Sequence, residues 1–181
     1  MNKREEEIKG HKRKEYEHRI DLAGEHKLSD IGQLILLFSF LVLWILDSFV
    51  FKFSTFLIQY VPNYVRGILS SFTLIFAGFL AFKAHGMVFG EERDEHGVIK
   101  KGVFAVVRHP MYLGFILLFL GLFLATFSLA SLGFWIIIII FYDFISSYEE
   151  RLLLAQFGED YENYRKSVAK WIPGLKFKKN K

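Results

Sequence analysis

An all-α membrane protein of about four transmembrane helices is the fold class this sequence predicts, and three observations carry the prediction. Apolar residues make up 52% of the 181 residues, with 21 Phe. Charged residues are crowded into separate blocks instead of being interleaved with the apolar ones, as a soluble core would require. Several apolar runs reach the length of about 20 residues that a bilayer demands of a helix.

Each element follows in order. Residues 1–30, opening "MNKREEEIKGHKRKEYEHRI", mix both signs of charge and read as a solvated cytosolic segment. No apolar stretch follows the first charges, so this is not read as a secretory signal. Residues 31–51 form the first span, and Asp47 near its end is expected to reach the interface. Residues 64–84 form the second. Gly67, Ser70, Ser71, Ala77 and Gly78 there are small enough for close helix packing. The loop 85–110 is polar and Gly-rich, too polar to span; His85 at its start is expected at the interface.

Residues 111–145 are almost unbroken apolar sequence, too long for one ordinary span. The predicted break is "TFSLASLG", residues 126–133, giving spans at about 111–127 and 129–147 joined as a tight helical hairpin. The last helix is expected to run on to Phe157, with Gly158 as its cap. The tail 148–181 then carries Tyr161, Tyr164 and Val168 at helical spacing, an interfacial helix that Trp171 and Pro173 end. Residues 31–181 are thus one membrane domain.

Lysine and arginine set the topology. Eight precede residue 31, eight follow residue 145, and Arg93, Lys100, Lys101 and Arg108 lie in the middle loop; residues 112–145 have none. The positive-inside rule therefore puts both termini and that loop in the cytoplasm. The net charge of +4 sits beside apolar runs. That suits a lipid bilayer as partner and argues against nucleic acid. With no Cys, thiolate catalysis and Cys-ligated metals are excluded. His96, His109 and Glu149 are metal-binding types without paired ligand spacing, so no metal is expected.

On this topology the hairpin returns Glu149 and Glu150 to the level of Arg108 and His109. Pro110 suits the first turn of a helix. The N–H groups of Met111, Tyr112 and Leu113 are then expected to be unpaired and to favour an anion. With the two glutamates nearby, a zwitterion bearing a carboxylate and an ammonium would match. Adjacent helix positions point about 100° apart, so Glu149 and Glu150 are expected to act differently. Asp143, two turns earlier, is expected to face the same cavity.

"HGVIKKGVFAVVRHPMYLGF" followed by "EERLLLAQFGEDYENY" resembles the isoprenylcysteine carboxyl methyltransferase and phospholipid methyltransferase superfamily of integral membrane enzymes. The resemblance covers about residues 90–175, and the ordered set of motifs carries it, since Arg-His-Pro alone is common. It implies S-adenosylmethionine as cofactor, in a cytosolic pocket built from the loop before the hairpin and the tail after it. The matching cofactor positions are His96, Gly97, Val98 and Ile99, then Phe104, then His109, Pro110, Met111 and Tyr112, and finally Glu149. Arg108, Asp143 and Ile145 fall on the substrate side. The acceptor is expected to be a lipophilic small molecule or lipid entering from the bilayer. An amine or thiol acceptor must lose a proton, for which His109, Glu150 or a water are the candidates, the two side chains being the catalytic ones.

Three positions depart from the family pattern. Phe104 stands where Tyr is common. Ile145 replaces an Arg one turn before the first Glu. A Gln ahead of the His-containing segment has no counterpart near Phe89. The acceptor atom (O, N or S) and the oligomeric state stay open. Two other readings stand beside methyl transfer. One is an NADPH-dependent, sterol-reductase-like enzyme, which would share the Arg-His-Pro-x-Tyr hairpin. The other is a non-enzymatic membrane scaffold.

Overall fold

A computed structural model describes residues 27–89 and 97–173. Helix α1 (Lys27–Ile45) passes into a π-helical turn, Leu46–Phe51, that ends at a left-handed Lys52. A 3₁₀ turn (Phe56–Tyr60) leads to α2 (Asn63–Phe89). After a second 3₁₀ turn (Gly102–Ala105) come α3 (Pro110–Thr126), α4 (Leu129–Phe157) and the short α5 (Glu159–Ser167). The segment to residue 26, the middle of the polar loop (90–96) and the last residues (174–181) lie outside the described residues.

Among the described residues, three helices are long and apolar enough to cross a membrane: Ile31–Phe51, Asn63–Phe89 and Leu129–Phe157. The fourth, α3, is apolar but has only 17 residues, about 25 Å of rise at 1.5 Å per residue. It sits at the lower limit of what spans. The chain is a multi-pass helical membrane protein. Its outward surface agrees, since Phe72, Ile75 and Phe82 of α2 are each more than 70% exposed. That belt is stable only against hydrocarbon. The core is narrow: Phe40 of α1, Ile116 and Phe119 of α3, and Ile138 and Tyr142 of α4.

The closest pairing is α2 against α3. Gly114 sits where an added Cβ would lie 3.1 Å from the Ala77 carbonyl, and Gly121 packs on Leu74. Ser70, Ala77 and Ala84, seven residues apart, are buried on the facing side of α2, and the Ser70 hydroxyl donates to the Gly121 carbonyl at 2.8 Å. The expectation that all five small residues of α2 serve this packing needs correction. Gly67, Ser71 and Gly78 point outward, and nothing lies within 4 Å of a Cβ built on Gly67 or Gly78. Seven-residue spacing keeps one face; 67, 71 and 78 lie on another.

Helices α3 and α4 are joined by Phe127 and Ser128 alone. Phe127 takes a left-handed conformation and its N–H donates to the Phe123 carbonyl at 2.7 Å. Ser128 caps α4 by accepting from the Ser131 N–H at 3.1 Å. Asp47 also departs from expectation. Its side chain does not extend toward the surroundings but is buried against this turn. Its carboxylate accepts from the Ser128 and Ser54 hydroxyls, both at 2.5 Å, and from the Ser54 N–H at 3.0 Å. Three donors satisfy the charge, which makes burial tolerable. Trp44 Nε1 donates to the Leu122 carbonyl and the Thr126 hydroxyl at the same end. The hairpin tip is therefore tied to α1.

At the other end, α4 has 29 residues, and about 20 cross a hydrocarbon core. Counted from Leu129 at the tip, those roughly 20 residues are used up before Glu149. Gly158, with φ +53°, turns the chain into α5 and donates its N–H to the Leu154 carbonyl at 2.9 Å. Val168 is the extended residue after α5 and not part of it.

Candidate active site

The extension of α4, the start of α3 and the tail after α5 meet at one end of the bundle. The tail comes first, because it frames the site. Val107 and Ala169 form an isolated parallel bridge, and the Arg108 N–H donates to the Ala169 carbonyl at 2.9 Å. Tyr161 and Tyr164 of α5 are buried against the hairpin. The Tyr164 hydroxyl donates to the Phe104 carbonyl at 2.7 Å. Burial pushes both phenols well above their ordinary range, so they act as neutral packing and donor groups. Lys100 pairs with Asp160 of α5. The polar loop and the tail are thereby clamped together.

Arg108, placed on the substrate side by the sequence, is otherwise engaged. Its Nε donates to Glu150 Oε1 at 2.9 Å and Nη2 lies 2.8 Å from the same oxygen. Its Nη1 donates to the Val168 carbonyl at 2.6 Å and the Arg165 carbonyl at 3.1 Å. Arg108 therefore stitches loop, α4 and tail into one unit.

His109 is buried at the N-cap of α3. Its Nε2 lies 3.0 Å from Glu150 Oε1, and its Nδ1 lies 3.6 Å from Glu149 Oε2. The first is a hydrogen bond; the second is an ion-pair distance too long for one. Tyr112 stacks on the imidazole at 5.8 Å between centroids, and Trp171 packs on it at 5.7 Å. Burial pulls the His109 pKa down, but the neighbouring carboxylates of Glu149 and Glu150 outweigh it and raise the pKa above its ordinary value. Burial likewise opposes ionisation of Glu150, yet His109 and Arg108 hold its carboxyl at about 2. A carboxylate so well satisfied is a poor proton acceptor.

Glu149 differs. Its Oε2 is buried and has no hydrogen-bond partner among the described residues. Adjacent on one helix, the two glutamates divide as their 100° separation requires: Glu150 is enclosed by Arg108 and His109, and Glu149 keeps an acceptor unspent. A buried carboxylate oxygen without a donor is costly, and an ammonium would relieve it.

The remaining expected positions are less central. His96 lies outside the described residues. Gly97, Val98, Ile99 and Phe104 are half-buried in the clamped loop. Pro110 is fully buried at the first turn of α3, while Met111 and Tyr112 are half-buried. Leu113 does not offer an unpaired N–H as expected, because it donates to the His109 carbonyl at 3.0 Å. Asp143 accepts from Lys170 Nζ at 2.5 Å and from Trp171 Nε1 at 3.1 Å. Ile145 is half-buried, a turn before Glu149. Sequence reasoning took Trp171 only as a helix terminator and passed over Lys170. Their positions, 28 and 27 residues beyond Asp143, carry no local signal.

These features define a multi-pass membrane protein with a charge cluster where its helices leave the bilayer. The sequence matches the phospholipid methyltransferase family over residues 64–160, more than half its length, and the chain belongs to that family. Among curated proteins it is similar to the protein-S-isoprenylcysteine O-methyltransferase of Schizosaccharomyces pombe, 35% identical over 89 residues, 48% of this chain and 37% of the relative. It is also similar to the methanethiol S-methyltransferase of Pseudomonas deceptionensis, 34% identical over 74 residues, 41% of this chain and 28% of the relative. The matched stretch thus spans well under half the length of either relative.

Proposed function

We propose that this chain transfers a methyl group from S-adenosylmethionine to a lipophilic or amphipathic acceptor at the cytosolic face of the membrane. The observation that carries the reading is the Glu149 Oε2, buried and without a hydrogen-bond partner among the described residues, beside a cluster in which Arg108 and His109 converge on Glu150. The family match and the methyltransferase relatives support it.

Glu149 would receive the ammonium of the cofactor. Apolar Val98, Ile99, Phe104, Pro110 and Met111 would surround the rest, with Tyr112 beside His109. When bound, S-adenosylmethionine supplies an electrophilic methyl group on a sulfonium. The residues of the chain hold and orient; little covalent chemistry is asked of them. Arg108, Glu150 and the Val107–Ala169 bridge keep loop and tail closed around the site and exclude water. His109, held between two carboxylates, fixes their spacing. Neither it nor Glu150 is well placed as a strong base, so an acceptor that needs deprotonation would pass its proton to water.

An acceptor without a carboxylate suits the site best. Ile145 contributes no charge, and the guanidinium of Arg108 is engaged by Glu150 and two carbonyls. The amine of a phospholipid or a lipophilic thiol meets this condition; a prenylcysteine carboxylate does not.

Incubating the purified chain in lipid nanodiscs with methyl-labelled S-adenosylmethionine tests the reading. Phosphatidylethanolamine, a long-chain thiol and a prenylcysteine analogue would be offered as acceptors. Label is expected in the amine or the thiol. Preference for the prenylcysteine would overturn the acceptor class. Tight NADPH binding without S-adenosylmethionine binding would favour the reductase reading, and binding of neither the scaffold. Cytosolic termini are part of the proposal. A cysteine at exposed Phe53, in a chain with no Cys of its own, should label from the non-cytosolic side only.

A further inference from the structure

A groove runs along α1 toward the hairpin tip, at the end of the bundle opposite Glu149. Its volume is about 780 Å³, within the roughly 300–1,000 Å³ of sites that enclose a small ligand. Phe38, Val42 and Leu46 line it at helical spacing, and Phe134 of α4 contributes to the lining. The π-helical turn then widens the helix by one residue, so the row passes from Leu46 to Phe51 and on to Phe53. Phe38, Phe51 and Phe53 are each more than 70% exposed, which leaves the groove open to its surroundings.

A cation sits at the end of this row. Lys52 lies between Phe51 and Phe53 and is exposed, and among the described residues no carboxylate pairs with it. It has φ 53°, a left-handed conformation that a residue with a side chain rarely adopts. Such strain persists only where the surroundings impose it. Here the Asp47 carboxylate holds the Ser54 N–H and hydroxyl, which fixes the turn on either side of Lys52. Asp47 also borders the groove, but its oxygens are engaged by Ser54 and Ser128. Tyr60 and Tyr64, 74% and 71% exposed at the same end, mark the level of the lipid headgroups.

The geometry points to a phospholipid site in the leaflet opposite Glu149, with an acyl chain lying along Phe38, Val42, Leu46 and Phe134 and the phosphate on the Lys52 ammonium. An apolar trough that ends in an exposed cation matches an amphiphile with a long chain and an anionic head. Lysine suits this role, as a compact point charge on a flexible stem that reaches a phosphate without demanding one fixed orientation. A diacylglycerol would fill the trough but leave the ammonium without a counter-ion. A second copy of the chain seated there would set apolar helix against Lys52, with a desolvation cost that a phosphate offsets. The site stands whether or not the chain transfers methyl groups, since Lys52 and Glu149 lie at opposite ends of the bundle.

Native mass spectrometry of the full chain in detergent tests the site with three probes. Dioleoylphosphatidylglycerol has the chains and the phosphate, and no amine to be methylated. Dihexanoylphosphatidylglycerol keeps the headgroup on short chains, and dioleoylglycerol keeps the chains without phosphate. The first should be retained well above the other two. Lys52→Asn removes the charge with a residue that tolerates the left-handed conformation. It should weaken retention about fivefold, the scale of one lysine at a lipid surface. Val42→Trp should fill the groove and cost the long-chain lipid its advantage over the short-chain one. Unfolding midpoints check that each variant folds; if Val42→Trp does not, the three probes and Lys52→Asn decide. Equal retention of dioleoylglycerol and dioleoylphosphatidylglycerol would overturn the proposal, as would a wild type that retains neither. Retention unchanged in folded Lys52→Asn or Val42→Trp would do the same. Dimers in place of bound lipid would give the groove to a second copy and sink the lipid site.

Discussion

Arg108 and Glu150 form a nearly buried ion pair across 42 positions of sequence, with the Nε and Nη2 of one guanidinium converging on a single carboxylate oxygen at 2.9 and 2.8 Å. The remaining Nη1 reaches two carbonyls of the tail. Loop, last long helix and tail therefore share one cation.

Arg108→Ala should accordingly destabilise the fold, not merely the site. Breaking one side of a buried pair typically costs about 3–5 kcal/mol, because the other charge stays behind unpaired. Arg108→Lys should rescue only in part, since an ammonium cannot reproduce the planar fork that serves Glu150 and the carbonyls together. Thermal unfolding in detergent measures both; an unshifted midpoint in Arg108→Ala would show that the pair is not a structural clasp.

Glu149→Gln should behave in the opposite way. Among the described residues no hydrogen-bond donor satisfies its Oε2, so the fold loses little. Binding of S-adenosylmethionine should weaken by roughly 10- to 150-fold, the range expected for one hydrogen bond to a charged group. Calorimetry on the purified chain gives the affinity, and the unfolding midpoint serves as the control. A large loss of stability with unchanged affinity would reverse the roles assigned to the two glutamates.

The pH dependence follows from His109 and Glu150. The His109 pKa is raised in the folded chain above its ordinary 6.5. Its contribution to stability is present in full below 6.5 and is lost as pH rises through the raised value. Glu150 works from the acid side: its carboxyl is held at about 2 against an ordinary 4.5, so its contribution is lost as pH falls from 4.5 toward 2. Stability should pass through a plateau in between. Replacing His109 with Gln should flatten the alkaline limb, which unfolding midpoints across pH would record. An alkaline limb of full size in that variant would place its origin elsewhere.

Asp47→Ala offers a test at the far end. It leaves the Ser54 and Ser128 hydroxyls and the Ser54 N–H without their shared acceptor. Each buried group left unsatisfied costs about 1–3 kcal/mol, so the unfolding midpoint should drop clearly. Cofactor affinity in the variant that still folds should hold, because Asp47 lies at the hairpin tip and Glu149 at the opposite end of α4. A selective loss of affinity would mean that the tip network reaches the site.

Hydropathy along the chain determined which segments lie in the bilayer, because length and apolarity of a run are local properties. Composition and the "VVRHPMYLGF" stretch likewise placed His109 and Pro110 at the mouth of a helix, and the short link at residues 127–128 lies within the predicted break. The direction each side chain faces was not local. Helices α3 and α4 are apolar nearly all round, so no stripe in the sequence marks the face that turns inward. Packing of α2 against α3 decided that Ser70, Ala77 and Ala84 face inward while Gly67 and Gly78 face out. Contact with the hairpin tip likewise buried Asp47. The same holds for the charges: sequence order brought Arg108, His109, Glu149 and Glu150 to one level, but only the returning tail committed Arg108 to Glu150 and set Trp171 against His109. Such contacts depend on helix rotation and on chain ends many residues apart, and both are settled by the folded whole.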